Sequence, residues 1–226
     1  TGFAHLFEHM MFQGSAHVKK FDHVKYVEAN GGNSNGHTDF DYTNYYQTLP
    51  SNRVELGLWL EADRMRSLDI SEENLKNQQA VVSEEVRVNV LNQPYQFFEW
   101  ISLWENAFTN WNNSHNGYGE LSEINAATIE DVRSFFKTYY APNNAVLTIV
   151  GDVEANDVKK MVEKYFANIA SQPAPARADL TEPPQTKEKR VSQTDKLANL
   201  PALATGYHLP PQNSPDFPAM ALLVQI

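Results

Sequence analysis

The pentapeptide His5-Leu6-Phe7-Glu8-His9 constrains this chain more than any other stretch. On a helix, at about 100° per residue, His5, Glu8 and His9 share one face, with Phe12 beside them. Ala4, Leu6, Phe7, Met10 and Met11 fill the other faces, and a helix apolar all round is a buried helix. Three titratable side chains buried side by side cost free energy unless something compensates them. A divalent cation is the simplest compensation. Two His at i and i+4 can each turn a ring nitrogen to one Zn²⁺, and the neighbouring Glu can take a proton from a water at the metal. The order His-x-x-Glu-His inverts that of the commoner zincin helix. The motif alone is equally compatible with two core histidines that have ordinary partners.

Two His leave a zinc short of at least one protein ligand, and the 226 residues contain no Cys, so that ligand must be His or carboxylate. Glu84-Glu85 is the candidate pair. Ser71 reads as the N-cap of a long helix running to about Leu91 and closed by Pro94, with Glu72 and Glu73 complementing its dipole. Helical phase puts Leu75, Gln78, Val81, Val82, Glu85, Val86 and Asn89 on one face and Ala80, Glu84 and Arg87 on the other. Glu85 is therefore the inward candidate, and Gln78 and Asn89 are candidates to orient the site from behind it, or plain structural residues. Glu84 as the ligand, or Glu85 in an ordinary ion pair, stays open at this point. His17, His23, His37, His115 and His208 lack a metal-spaced partner and read as surface, strand or loop positions.

The net charge of −10 argues against nucleic acid as a partner. Mean hydropathy is −0.50, and no apolar run approaches the ~20 residues of a membrane helix. Absence of Cys leaves the compartment open. Both ends read as cut: the chain opens directly on the metal helix and stops in the apolar tail Ala219–Ile226, which has no cap.

The run Asn30–Gly36 is a strong turn signal after a polar stretch that reaches Glu28. Strands are expected near Asn33–Thr38 and Thr43–Leu49, interrupted by Asp39-Phe40-Asp41. Helices are expected over Ser51–Leu68, Gln96–Phe108, from a capping box at Thr128 to Tyr140, and over Ala155–Ile169. Asn110–Gly119 reads as loop. Ala145–Val150 reads as a buried strand, and Lys189–Gln193 and Leu203–His208 as further strands. Strands and helices without regular βαβ alternation predict an α+β fold, with an antiparallel mixed sheet packed against helices. The Pro-rich run predicts three parts: a zinc-binding domain over 1–172, a linker over 173–187, and the truncated start of a second, similar domain over 188–226.

Several motifs together resemble the pitrilysin-like inverzincin peptidase family, to which insulin-degrading enzyme and the mitochondrial processing peptidases belong, and its bacterial half-length zinc proteases most closely. They are Gly2-x-Ala4-His5-x-x-Glu8-His9-Met10-x-Phe12-x-Gly14, then Gly32-Asn33-Ser34-Asn35-Gly36-x-Thr38, Glu84-Glu85-Val86, Tyr140-Ala141-Pro142-Asn143-Asn144 and Val150-Gly151-Asp152-Val153. Glu85 follows His9 by 76 positions, the separation that the family uses. The resemblance implies one zinc held by His5, His9 and Glu85, with Glu8 as general base, in a metalloendopeptidase. It also implies that the edge formed by Asn33, Ser34, Asn35, Gly36 and Thr38 takes the peptide substrate as an added strand. Two departures stand out. Gln78 occupies a position where the family often has a second Glu. The Arg/Tyr pair that the family's second half brings to the substrate has no counterpart in this chain. A homo-oligomer or a heterodimer with a homologous subunit would supply that half. A non-catalytic or partner-dependent subunit of a peptidase assembly is the alternative function.

Overall fold

The computed structural model describes residues 2–225, which form two compact units. The first comprises residues up to Val86 together with Gly117–Arg177, and the second Arg87–Asn116 together with residues from Ala178 on. The elements of the first unit are α1 (Phe3–Met10), α2 (Asp22–Ala29), β1 (Asn33–Thr38), β2 (Thr43–Thr48), α3 (Val54–Ser67) and α4 (Glu72–Val86). The second unit contributes α5 (Leu103–Ala107), α6 (Trp111–Ser114) and later α10 (Phe217–Leu223). Between them in sequence, the first unit adds α7 (Leu121–Ala126), α8 (Ile129–Tyr139) and α9 (Ala155–Phe166). The architecture is α+β, helix-rich with a small antiparallel sheet.

Helix α1 is the centre of the first unit. Leu6, Phe7 and Met10 have no solvent exposure and join Leu75 and Val82 of α4, Ile124 of α7, and Ile129 and Val132 of α8 in one core. The Phe7 ring stacks on Phe135 at 4.7 Å between centroids and lies 5.2 Å from Tyr140. Truncating Phe7 would cost about 3–5 kcal/mol, the usual range for a buried Phe. Gly2 caps α1 at φ 69°, and a Cβ there would collide with the Tyr118 carbonyl, so only glycine fits. Thr128 and Asp131 form the expected capping box of α8: the Thr128 hydroxyl accepts from the Asp131 N–H at 3.2 Å, and the Thr128 N–H donates to Asp131 at 2.9 Å.

Strands β1 and β2 pair antiparallel from Asn33↔Thr48 to Thr38↔Thr43, with the expected break at residues 39–42. Three other expected strands are not formed. Ala145–Val150 is unpaired, and Val146 and Val150 are 93% and 92% exposed rather than buried. Lys189–Gln193 and Leu203–His208 are also outside any ladder. A strand needs a neighbour to take its N–H and C=O groups, whatever its propensity. Among the described residues the sheet has only β1 and β2.

The long helix from Ser71 is α-helical to Val86, and Arg87–Leu91 then winds as a π-turn at the start of the second unit. Residues 98–102 are also π-wound before α5. Sequence reading missed α2, taken as a polar stretch, and α7. The tail forms α10 from Phe217 to Leu223; its expected end at Ile226 lies outside the described residues.

His23, read from the sequence as a surface or strand position, is buried in α2. Its Nε2 has no hydrogen-bond partner and lies 4.0 Å from the Glu61 carboxylate. Burial, helped by the positive Arg64, pushes its pKa down to about 3. The unfolded chain binds that proton near pH 6.5 and the folded chain does not. Stability is therefore whole above about pH 6.5 and drains as pH falls towards 3. The unfolding free energy measured in urea should fall more steeply between pH 6 and 4 in the wild type than in His23→Gln, which cannot charge.

Candidate metal centre and its surroundings

Helices α1 and α4 carry the candidate ligands. His5 and His9 are one turn apart on α1, so their rings stand one above the other. Their Nε2 atoms are 3.3 Å apart and the rings meet edge to face. Glu85, in the last turn of α4, points its carboxylate between them: Oε1 lies 3.5 Å from His5 Nε2 and Oε2 lies 3.1 Å from His9 Nε2. Val82 and Val86, on the inner face of α4, are buried in the first unit, and Glu84 is exposed. His5, His9 and Glu85 form the one group of three or more potential metal-ligating side chains found among the described residues.

The geometry fits a zinc ion. Zinc lies about 2.0–2.1 Å from imidazole nitrogen and carboxylate oxygen, and a tetrahedron with such arms has edges of about 3.3 Å. The 3.3 Å between the two imidazole nitrogens is an edge of that size, and each nitrogen lies 3.5 or 3.1 Å from a different oxygen of the Glu85 carboxylate. Hydrogen bonds from His5 and then His9 hold the Glu85 carboxyl well below the usual carboxylate range, although burial opposes ionisation. Tyr118 closes one side: its ring edge meets His5 at 5.5 Å, and burial together with the Glu85 charge raises its phenol pKa.

Glu8 sits on the same face of α1 and is half-buried. Its Oε2 accepts a hydrogen bond from the Thr38 hydroxyl at 2.6 Å. Strand β1 can come this close because Gly36 has no side chain; a Cβ there would lie 3.2 Å from Glu8 Cγ. On β1 the positions 34, 36 and 38 are half-buried and 33, 35 and 37 exposed, the alternation of a strand with one covered face. Thr38, expected from the sequence to line a substrate edge, therefore holds the Glu8 carboxylate. Ser34 and Asn35 line a cleft that His9 also lines.

Gln78 is buried on α4 and lines the same cleft, with its amide donating to Asn77 Oδ1 at 2.7 Å. Asn89 is exposed in the π-wound segment of the second unit. Sequence reasoning did not find Tyr118 or the buried polar layer behind the helix. In that layer the Tyr45 and Tyr140 hydroxyls meet at 2.7 Å, and burial pushes the Tyr140 phenol up to about 12. The Arg64 guanidinium lies 4.7 Å from the Tyr45 ring centre and 5.3 Å from that of Phe12, and forks onto Glu61 at 2.6–2.9 Å. Apart from the i, i+3 pair Arg64–Glu61, these contacts join positions far apart in sequence, and no local pattern announces them.

Residues 1–114 match the family model described as Insulinase (Peptidase family M16), and residues 126–226 match that of the Peptidase M16 inactive domain. The zinc protease PqqE of Helicobacter pylori is 27% identical over 228 residues, covering 100% of this chain and 51% of that protein. A probable beta subunit of the mitochondrial-processing peptidase from Arabidopsis thaliana is 24% identical, covering 99% of this chain and 42% of that one. A crystal structure of a protease from Helicobacter pylori superposes with a TM-score of 0.77 at 29% identity, over 81% of this chain and 45% of that chain. The chain spans about half the length of these curated relatives.

Zinc affinity should depend on Glu85 and not on its neighbour. Glu85→Gln should weaken zinc binding by at least about 10–100-fold, the cost of disturbing even an outer partner of a metal site. Glu84→Gln should bind as the wild type does. Competition against a chromophoric chelator reads both.

Proposed function

Since the chain belongs to peptidase family M16, the insulinase family, we propose that it holds one zinc through His5, His9 and Glu85 and hydrolyses peptides, with Glu8 as the general base. The observation that carries this reading is the convergence of two imidazole nitrogens and the Glu85 carboxylate, with the oriented Glu8 carboxylate on the same face of α1. Relatives named as zinc proteases support the metal and the reaction class.

A zinc ion at this place supplies Lewis-acid polarisation of a peptide carbonyl and makes water more acidic. The chain's own residues do the rest. Glu8 accepts the proton of the attacking water and later delivers it to the leaving amine nitrogen. The Thr38 hydroxyl uses one lone pair of that carboxylate and so fixes its rotamer, leaving the other oxygen, Oε1, for proton transfer. The strand edge Asn33–Thr38 takes the substrate in extended form, so that main-chain hydrogen bonds carry most of the affinity and selectivity among unfolded segments is broad. Gln78 stands in this reading as a support rather than a participant, and Asn89, exposed in the second unit, has no part in it.

We assign residues 1–172 to the zinc domain, 173–187 to a linker, and 188–226 to the start of a second homologous domain. A homologous subunit, or a second copy, completes the substrate chamber. The relative named as a beta subunit of a processing peptidase, and the match to a domain described as inactive, favour the second reading: a subunit that needs a partner, or serves one, in a peptidase assembly.

One experiment separates the readings. Glu8→Gln should keep one zinc per chain and lose about 10²–10⁴-fold in hydrolysis of an unfolded peptide, and a chelator should abolish wild-type cleavage. Zinc bound with no wild-type cleavage would favour the partner-requiring subunit, and a chain that binds no zinc would remove the peptidase reading. Thr38→Val should lower kcat by about 10-fold or more with little change in KM, the cost of a hydrogen bond to a charged group, and Thr38→Ser should restore it.

A further inference from the structure

A cleft of about 550 Å³ opens beside the histidine pair, and it contains a cation with no anionic partner. Its near end is His9 with Ser34 and Asn35 of β1, and its walls are the apolar side chains of Phe12, Phe21, Val24 and Val81. Lys20 lies in it, partly buried. The ammonium donates to Asn77 Oδ1 at 3.0 Å and stands 5.5 Å from the centre of the Phe21 ring. It makes no ion pair among the described residues. Asn77 Oδ1 also accepts from the Gln78 amide at 2.7 Å, so that oxygen serves two donors. The remaining ammonium protons and the Asn77 NH₂ are left as donors. Lys20 is the one Lys, Arg, Asp or Glu side chain of that lining, and the acceptors beside it, on Gln13, Ser34, Asn77 and Gln78, are neutral, so an acidic group carried on a methylene stem meets a charge that the lining does not offset.

The chain as a whole would repel such a group, with its net charge of −10. Any preference for an anion must therefore be local, and it falls to the Lys20 ammonium, held in place by Asn77 Oδ1 and the edge of the apolar lining at Phe21. A peptide laid along β1 alternates its side chains, so a residue flanking the scissile bond turns into this cleft. We propose that the cleft is the subsite for that residue and that Lys20 makes it select an acidic side chain, glutamate above all. Its methylenes cover the walls while its carboxylate meets Lys20 and Asn77. This inference rests on the peptidase reading above for the path of the substrate.

The test uses peptides of one sequence with Glu, Gln, Leu or Lys at each position flanking the cleaved bond. Their Kd values are read by fluorescence anisotropy on the zinc-loaded Glu8→Gln chain, and their kcat/KM values on the zinc-loaded wild type. At one position Glu should beat Gln by about tenfold in both readings. Lys20→Glu, added to either background, should reverse the order in favour of Lys, and Lys20→Met should erase the Glu-over-Gln preference, with folding of both variants checked by circular dichroism. Equal binding of Glu and Gln, or a ranking that survives Lys20→Glu, would overturn the inference and leave the hydrolysis reading standing. A Glu preference in binding with no cleavage of any peptide would support the inference while removing the hydrolysis reading. Failure of every peptide to bind would overturn this assignment as well.

Discussion

The packing of α1 against α4 is the constraint on which the rest depends. Two imidazoles and a carboxylate that follows the second of them by 76 positions arrive within 3.1–3.5 Å of one another, nitrogen to nearest oxygen or nitrogen. Such a cluster needs both backbones held rigidly. Leu6, Phe7 and Met10 do this for α1, as Leu75 and Val82 do for α4, and all five are essentially sealed from solvent. The motif helix is thus apolar on three sides because those sides are its anchors, and polar on the fourth because that side carries the chemistry. Its short length of eight residues would make it marginal alone, so tertiary packing rather than propensity keeps it helical.

Strand β1 is tied to the same helix through the Thr38–Glu8 hydrogen bond and the bare Cα of Gly36. A carboxylate on a helix has several rotamers, and a general base that samples them is in place only part of the time. Locking it to the strand makes the proposed base and the candidate substrate edge one mechanical unit. Any peptide that pairs with the strand is positioned relative to Glu8 by the same backbone. The buried layer of Tyr45, Tyr140, Arg64 and Glu61 stiffens that unit from behind, through the Tyr45–Tyr140 hydroxyl contact, the Arg64 guanidinium over the Tyr45 ring and its fork onto Glu61.

Much of this arrangement was legible in the residues. The i, i+4 histidines and the phase of Glu85 against Glu84 follow from helical geometry alone, and the structure exposes Glu84 while it turns Glu85 to the histidines. Turn residues at 30–36 and the Thr-Tyr-rich run after them mark the hairpin. What was not legible depends on partners. Ala145–Val150 has the composition of a buried strand, but a ladder is a property of two segments, and among the described residues none lies alongside it. Helix α2 has a weak apolar stripe, since His23 and Val27 are its buried positions, and a histidine does not announce itself as core. Thr38 was visible as a strand residue; that its hydroxyl reaches Glu8 depends on how closely β1 approaches α1. Lys20 sits in a polar stretch and is given meaning only by the rings and the Asn77 carboxamide around it.

The central claim is that one ion is shared by the two imidazoles and the distant carboxylate. Anomalous diffraction at the zinc absorption edge, from crystals of the zinc-loaded chain, tests it directly. The account predicts a single strong peak bonded to His5 Nε2, His9 Nε2 and a Glu85 oxygen, within reach of Glu8 but not ligated by it. A peak elsewhere, or an ion held by the histidines while Glu85 turns to solvent, would contradict it.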